Sequence, residues 1–123
     1  MNKERRIIMD ARKMVEIAYK ALDEKKGEDI QIIKVGDVSV IADYFLIVNG
    51  NSDPQVQALV NNVQEALAKE GVHPKQIEGV RNSSWILMDY GDVVIHVFSK
   101  EDRCFYDLER VWKDGKFLSI GEL

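Results

Sequence analysis

The stretch WILMDYGDVVIHVF, Trp85 to Phe98, constrains the fold more than any other part of the chain. Two runs of aliphatic and aromatic residues flank Tyr90-Gly91, and a glycine between two such runs marks an antiparallel hairpin. With Tyr90-Gly91 as the turn, Asp89 is expected opposite Asp92, Met88 opposite Val93, Leu87 opposite Val94, Ile86 opposite Ile95 and Trp85 opposite His96. Side chains alternate along a strand, so this pairing sorts them onto two faces. Ile86, Met88, Val93, Ile95 and Val97 make an aliphatic face that belongs in a core. Trp85, Leu87, Val94, His96 and Phe98 make the other, with Asp89 and Asp92 at the tip. That second face has two readings. It is a contact surface anchored by Trp85, Trp being prominent among interface hot spots, or it is covered by helices, with the Trp85 and His96 N–H groups partnered inside.

The remaining segments alternate between helical and strand periods. Ile7, Ile8, Ala11, Met14, Val15, Ala18 and Leu22 follow the three-and-four spacing of a first helix over residues 5 to 24, ending near Gly27. DIQIIKVGDVSVIADYFLIVNG is rich in Ile and Val and predicts strands near 30–35 and 44–49. NSDPQVQALVNNVQEALAKEG predicts a helix with Asp53 as cap, Pro54 in the first turn, Gly71 as the stop, and a buried face of Val56, Leu59, Val60, Val63 and Leu67. The connector KQIEGVRNSS has room for an edge strand. In SKEDRCFYDLERVW, Ser99 and Asp102 have capping-box spacing, and Phe105, Leu108 and Trp112 are expected on one helical face. The order of elements implies one mixed α/β domain, residues 1–114, with a mixed β-sheet flanked by helices. The tail from 115 to 123 is expected to pack loosely or to depend on a partner.

Charge narrows the partners. Residues 1–26 carry eight Lys/Arg against five Asp/Glu, and residues 27–123 carry nine against sixteen. An acidic domain is poorly suited to nucleic acid phosphates, which are bound mainly by Lys and Arg, and suits a basic protein. Arg5, Arg6, Arg12 and Lys13 could approach RNA, but a charged outer helix face is ordinarily solvated, so RNA contact is not expected. No apolar run approaches the ~18 residues of a membrane span, the start does not read as a secretory signal, and the single Cys104 cannot form an internal disulfide. A cytoplasmic protein is expected.

Catalytic chemistry finds little support. His73 and His96 lack metal-ligand spacing, Cys104 has no sequence context that would activate it, and no metal or cofactor is implied. NGNS, between a strand and a helix, is the feature that would suit a nucleotidyltransferase-like enzyme. Such a site wants carboxylates two residues apart on one strand face. Asp89 and Asp92 are three apart across a turn, Asp37 and Asp43 six apart, and no glycine phosphate loop is present. A nucleotide-using enzyme and a homodimeric adaptor remain the alternatives to a partner-binding regulator.

DYFLIVNGNSDPQVQAL followed by EGVRNSSWILMDYGDVVIHVFSKEDRCFYDLERVW resembles the ribosome silencing factor, or Iojap-type, family over roughly Ala11 to Asp114. The most specific part is Trp85-x-Leu87-x-Asp89-Tyr90-Gly91-Asp92, continuing through His96-Val97-Phe98 to Arg103, Tyr106, Leu108-Glu109 and Trp112. The resemblance implies a non-enzymatic translational repressor, with a fold related to nucleotidyltransferases but without their catalytic carboxylates. It further implies binding to the large ribosomal subunit through the basic ribosomal protein fourteen, a steric block to joining with the small subunit when nutrients are short, and a homodimer in isolation. Carried over residue by residue, it points to Trp85, Leu87, Asp89, Tyr90, Asp92 and His96 as partner-binding, with Arg103 and Tyr106 completing or bracing the surface. The departure is Val48-Asn49 before Gly50, where a small or hydroxyl residue is common; it is expected to change only the local turn.

Overall fold

Each change of hydrophobic period in the sequence becomes a change of element. The computed structural model describes residues 9–79 and 84–123. Its elements are α1 (Ala11–Glu24), β1 (Glu28–Lys34), β2 (Tyr44–Gly50), α2 (Asp53–Ala68), β3 (Gln76–Glu78), β4 (Trp85–Asp89), β5 (Val93–Ser99), α3 (Lys100–Tyr106), α4 (Leu108–Val111) and β6 (Lys116–Leu118), then one 3-10 turn at Ile120–Glu122. The part of the expected first helix over residues 5–8 lies outside the described residues. Asp10 caps α1 by accepting the Arg12 N–H. Ser52, one residue before the expected Asp53, caps α2 by accepting the Gln55 N–H. The Gln55 side chain in turn accepts the Asn51 N–H, which uses up a further donor at the helix start. α2 closes as expected at Gly71, with the Val72 N–H bonded to the Leu67 carbonyl.

The strands form one mixed sheet in the order β3-β4-β5-β2-β1-β6. β2 and β5 are parallel, and the other neighbouring pairs are antiparallel. α1 and α2 pack on one face, where Val15, Ala18 and Leu22 meet Val56, Leu59, Val63, Leu46, Ile95 and Val97. Each side chain of this size, fully buried, contributes roughly 1.5–3 kcal/mol of transfer free energy. The other face gathers Ile33, Val35, Phe45, Ile47, Val94 and Phe98 under Leu108 and Trp112. The central β2 is therefore buried along its whole length, which is why FLIV reads as a continuous apolar run. β4 lies nearer the edge and alternates, with Ile86 and Met88 buried and Trp85, Leu87 and Asp89 half-buried.

The C-terminal residues are not loose. Lys116–Leu118 pair antiparallel with β1, Phe117 lying opposite Ile33, and Leu118, Ile120 and Leu123 pack against the helix-covered core. A three-residue strand is too short to announce itself by alternation, but as an edge strand it covers the hydrogen-bonding groups of β1. Among the described residues no helix is long and apolar enough to cross a membrane.

Candidate functional site

The hairpin turns one residue later than expected, which shifts its strand register by two. Trp85 lies opposite Phe98, Ile86 opposite Val97, Leu87 opposite His96, Met88 opposite Ile95 and Asp89 opposite Val94. The Tyr90 N–H donates to the Val93 carbonyl at 2.9 Å, which leaves Gly91-Asp92 as a two-residue loop. Gly91 has φ +88°, the positive value that the first loop position of a type II′ turn requires. The Asp89 carboxylate explains the later closure, because Oδ1 accepts the Gly91 N–H at 2.8 Å and draws the chain round after Tyr90. A slip of two preserves the alternation of side chains, so both faces hold the residues expected of them.

Position within the sheet then separates the candidate residues. Tyr90 points to the helix-covered face and is 7% exposed, so it does not share a surface with Trp85. Burial also pushes its hydroxyl up to about 12, keeping it neutral. Asp89 is half-buried and serves the turn, while Asp92 is exposed and its backbone carbonyl accepts the Asp43 and Tyr44 N–H groups at the start of β2. Asp89 lies four residues along β4 from Trp85, ~13 Å at strand rise, so the acidic tip and the indole are separate features.

Around Trp85 the two readings of the face each hold for part of it. His96 is 5% exposed and Phe98 fully buried, so both belong to the core. The half-buried Trp85 ring lies on Phe98 at a centroid distance of 4.9 Å and on Tyr106 at 4.6 Å, and Tyr106 meets Phe105 edge-on at 5.1 Å. Tyr106 is 43% and Phe105 79% exposed. With Leu87, one alternation along β4, these residues extend an apolar and aromatic surface outward from the core. Glu78 and Gly79 flank Trp85 and Leu87 in a cleft at the sheet edge. The Trp85 indole N–H donates to His96 Nδ1 at 3.2 Å. Burial lowers the His96 pKa to about 4, so the ring is neutral at pH 7 and able to accept at Nδ1.

Three contacts bring α3 to this spot. Ser99 accepts the Asp102 N–H as the expected cap, the Asp102 carboxylate accepts the Ser84 hydroxyl, and the Ser99 N–H bonds to the Ser84 carbonyl. The start of α3 is thereby fastened beside the start of β4, which places Tyr106 over Trp85. Asp107 then takes a left-handed conformation, φ +50°, and divides what the sequence suggested was one helix. The chain turns, Leu108 and Trp112 return to the sheet, and Trp112 packs edge-on against Phe45 at 4.9 Å. Phe105 is left outside, so it does not share a buried face with Leu108 and Trp112 as the periodicity suggested.

Arg103 is a brace. Its side chain is 8% exposed and contacts Glu109 Oε2 through Nη2 at 2.6 Å and Nε at 3.1 Å. Nη1 donates to Asn49 Oδ1 at 3.0 Å and to the Glu28 carbonyl at 3.1 Å, where β1 is bulged and Asp29 has φ +52°. A guanidinium suits this task because its planar fork of donors serves several acceptors at once. Asn49, expected to alter only a local turn, instead bonds to Arg103 and donates to Glu28 Oε1 at 3.1 Å. The arrangement joins β1, β2, α3 and α4, holding the helices that carry Phe105 and Tyr106. Cys104 is exposed on α3, and His96 is buried behind Trp85.

The sheet and this aromatic edge define a mixed α/β fold of known kind. The family model described as "RsfS: Ribosomal silencing factor during starvation" matches residues 8–122. The chain is 42% identical over 112 residues to the ribosomal silencing factor RsfS of Bacillus subtilis (strain 168), covering 91% of this chain and 95% of that protein. It is similar to the crystal structure of a Chromobacterium violaceum protein, with a TM-score of 0.82 and 34% identity over 90% of this chain and 92% of that one. A mouse protein named for mitochondrial assembly of the ribosomal large subunit is 30% identical over 105 residues, 80% of this chain and 44% of that protein. The chain belongs to the ribosomal silencing factor family.

Proposed function

We propose that this protein is a cytoplasmic translational repressor that binds the large ribosomal subunit through ribosomal protein fourteen and blocks joining with the small subunit. The observation that carries this reading is the aromatic edge: Trp85, Tyr106 and Phe105 in consecutive ring contact on an otherwise acidic domain. Aromatic anchors with a polar rim suit a protein interface, and opposite charge suits a basic ribosomal protein. The name of the mouse relative, which refers to the large subunit, supports the same choice of partner. Electrostatic attraction would speed encounter and make its rate fall with salt, while burial of the rings would set the residence time. The role asks for occupancy of a surface and for no bond-making step. Leu87 adds apolar area beside Trp85, Asp89 and Asp92 contribute charge at the hairpin tip, and His96, Tyr90 and Arg103 act from within. In isolation the protein would form a homodimer.

Density-gradient sedimentation with purified subunits tests the reading. The protein should travel with the large subunit and reduce the fraction of joined ribosomes as it is titrated in. Migration with the small subunit alone, or an unchanged joined fraction at saturation, would refute it.

A further inference from the structure

We infer that His96 is a positioning residue for Trp85: its Nδ1 takes the indole N–H and so decides which edge of the ring is presented outward. This rests on the reading of Trp85 as a partner anchor. Trp85 is held by Phe98 and Tyr106 at tilts of 30° and 48°. Such stacking contacts set the plane of an aromatic ring but offer no acceptor that would tell its N–H edge from its carbon edge. The bond at 3.2 Å to His96 does discriminate, because only one flip brings Nε1 to Nδ1. With that edge turned inward, the half-buried remainder of the indole is carbon. A partner then meets an apolar anchor whose polar group is already satisfied, and it need supply only an apolar recess.

The imidazole itself shows that packing is not its whole purpose. A neutral ring accepting at Nδ1 carries its proton on Nε2. That atom is buried and has no hydrogen-bond partner among the described residues. An unsatisfied buried donor is costly, and a phenylalanine or leucine among Phe45, Trp85 and Phe98 would avoid the cost. What only the imidazole provides here is the acceptor at Nδ1. His96 stands on β5 opposite Leu87, two positions from the residue paired with Trp85, so the sheet register itself brings Nδ1 to the indole.

The test compares wild type, His96→Phe and His96→Asn by two-dimensional proton–nitrogen spectroscopy, with the two indole signals assigned through Trp112→Phe. Asn carries an amide oxygen close to where His carries Nδ1, whereas Phe fills the space without an acceptor. In His96→Phe the Trp85 indole signal should shift and its proton should exchange with solvent at least about tenfold faster, while His96→Asn retains protection. Binding to purified ribosomal protein fourteen should weaken about fivefold in His96→Phe, the loss of one net hydrogen bond, and stay within about twofold of wild type in His96→Asn. An unchanged indole signal and exchange rate in a folded His96→Phe protein would overturn the inference, as would a His96→Asn protein that behaves like His96→Phe. If the indole responds as expected but Trp85→Ala binds ribosomal protein fourteen normally, His96 still orients Trp85, and the partner assignment is what fails.

Discussion

Replacing Arg103 by methionine keeps most of the aliphatic stem and removes the guanidinium, so its cost isolates the polar brace. Four hydrogen bonds disappear: two to Glu109 Oε2, one to Asn49 Oδ1 and one to the Glu28 carbonyl. Breaking a buried ion pair by removing one partner typically costs about 3–5 kcal/mol, mostly as desolvated groups left unpaired. Glu109 is 26% exposed and can recover part of its hydration, which places the expectation near the lower end, about 3 kcal/mol. For a domain of this size that corresponds to a fall of about 10 °C in Tm. Urea unfolding followed by circular dichroism, together with Glu109→Gln and the double variant, would measure the coupling between the two side chains. Glu109→Gln alone should cost about 1–2 kcal/mol, and the double variant less than the sum of the single ones. A loss below about 1 kcal/mol for Arg103→Met, or strict additivity, would refute the view of Arg103 as the tie between the sheet and α3–α4.

Two further outcomes follow from burial and from space. His96 has a folded pKa of about 4 against an ordinary 6.5, so between those values the unfolded chain holds more protons at this position than the folded one. Its contribution to stability is therefore complete above pH 6.5 and is lost as pH falls toward 4, by about 3 kcal/mol. His96→Asn should flatten that part of the urea-midpoint profile, and an unaltered slope would contradict the burial argument. At Gly27, a Cβ would lie 2.7 Å from Val48 Cγ2 on β2 and 3.1 Å from Leu59 Cδ2 on α2, both in the helix-covered core. Gly27→Ala is expected to cost about 1–3 kcal/mol through overpacking, read as a lower Tm; no change would mean that the turn between α1 and β1 has more room than the structure shows.

The faces of the hairpin were legible in the sequence because parity is robust: its register moved by two residues and every core assignment survived. The α2 stop at Gly71 was legible because a left-handed helix end favours glycine strongly. Features that depend on distant residues were not legible. Arg103 meets Asn49 across 54 residues of sequence and the Glu28 carbonyl across 75, so nothing local distinguishes it from a surface arginine. The break at Asp107 was hidden for a different reason. Asp has no strong claim to a positive φ, and the apolar spacing of Phe105, Leu108 and Trp112 fits an unbroken helix as well as a divided one. That break is what leaves Phe105 outside and enlarges the aromatic edge. Tyr90 was misjudged because the sequence placed it in the turn, where side-chain alternation says nothing; the later turn extends the alternation of β4 to it and puts it on the face away from Trp85.

Equilibrium binding to purified ribosomal protein fourteen should separate Trp85→Ala from Phe117→Ala. Phe117 is also a half-exposed aromatic, but it stands on β6 at the opposite edge of the sheet. Trp85→Ala should weaken binding by about 30-fold or more, the loss of an interface hot spot of about 2 kcal/mol, with the protein still folded and Phe117→Ala indistinguishable from wild type. Wild-type affinity in a folded Trp85→Ala protein, or equal losses in both variants, would contradict the assignment of the aromatic edge as the ribosome-facing surface.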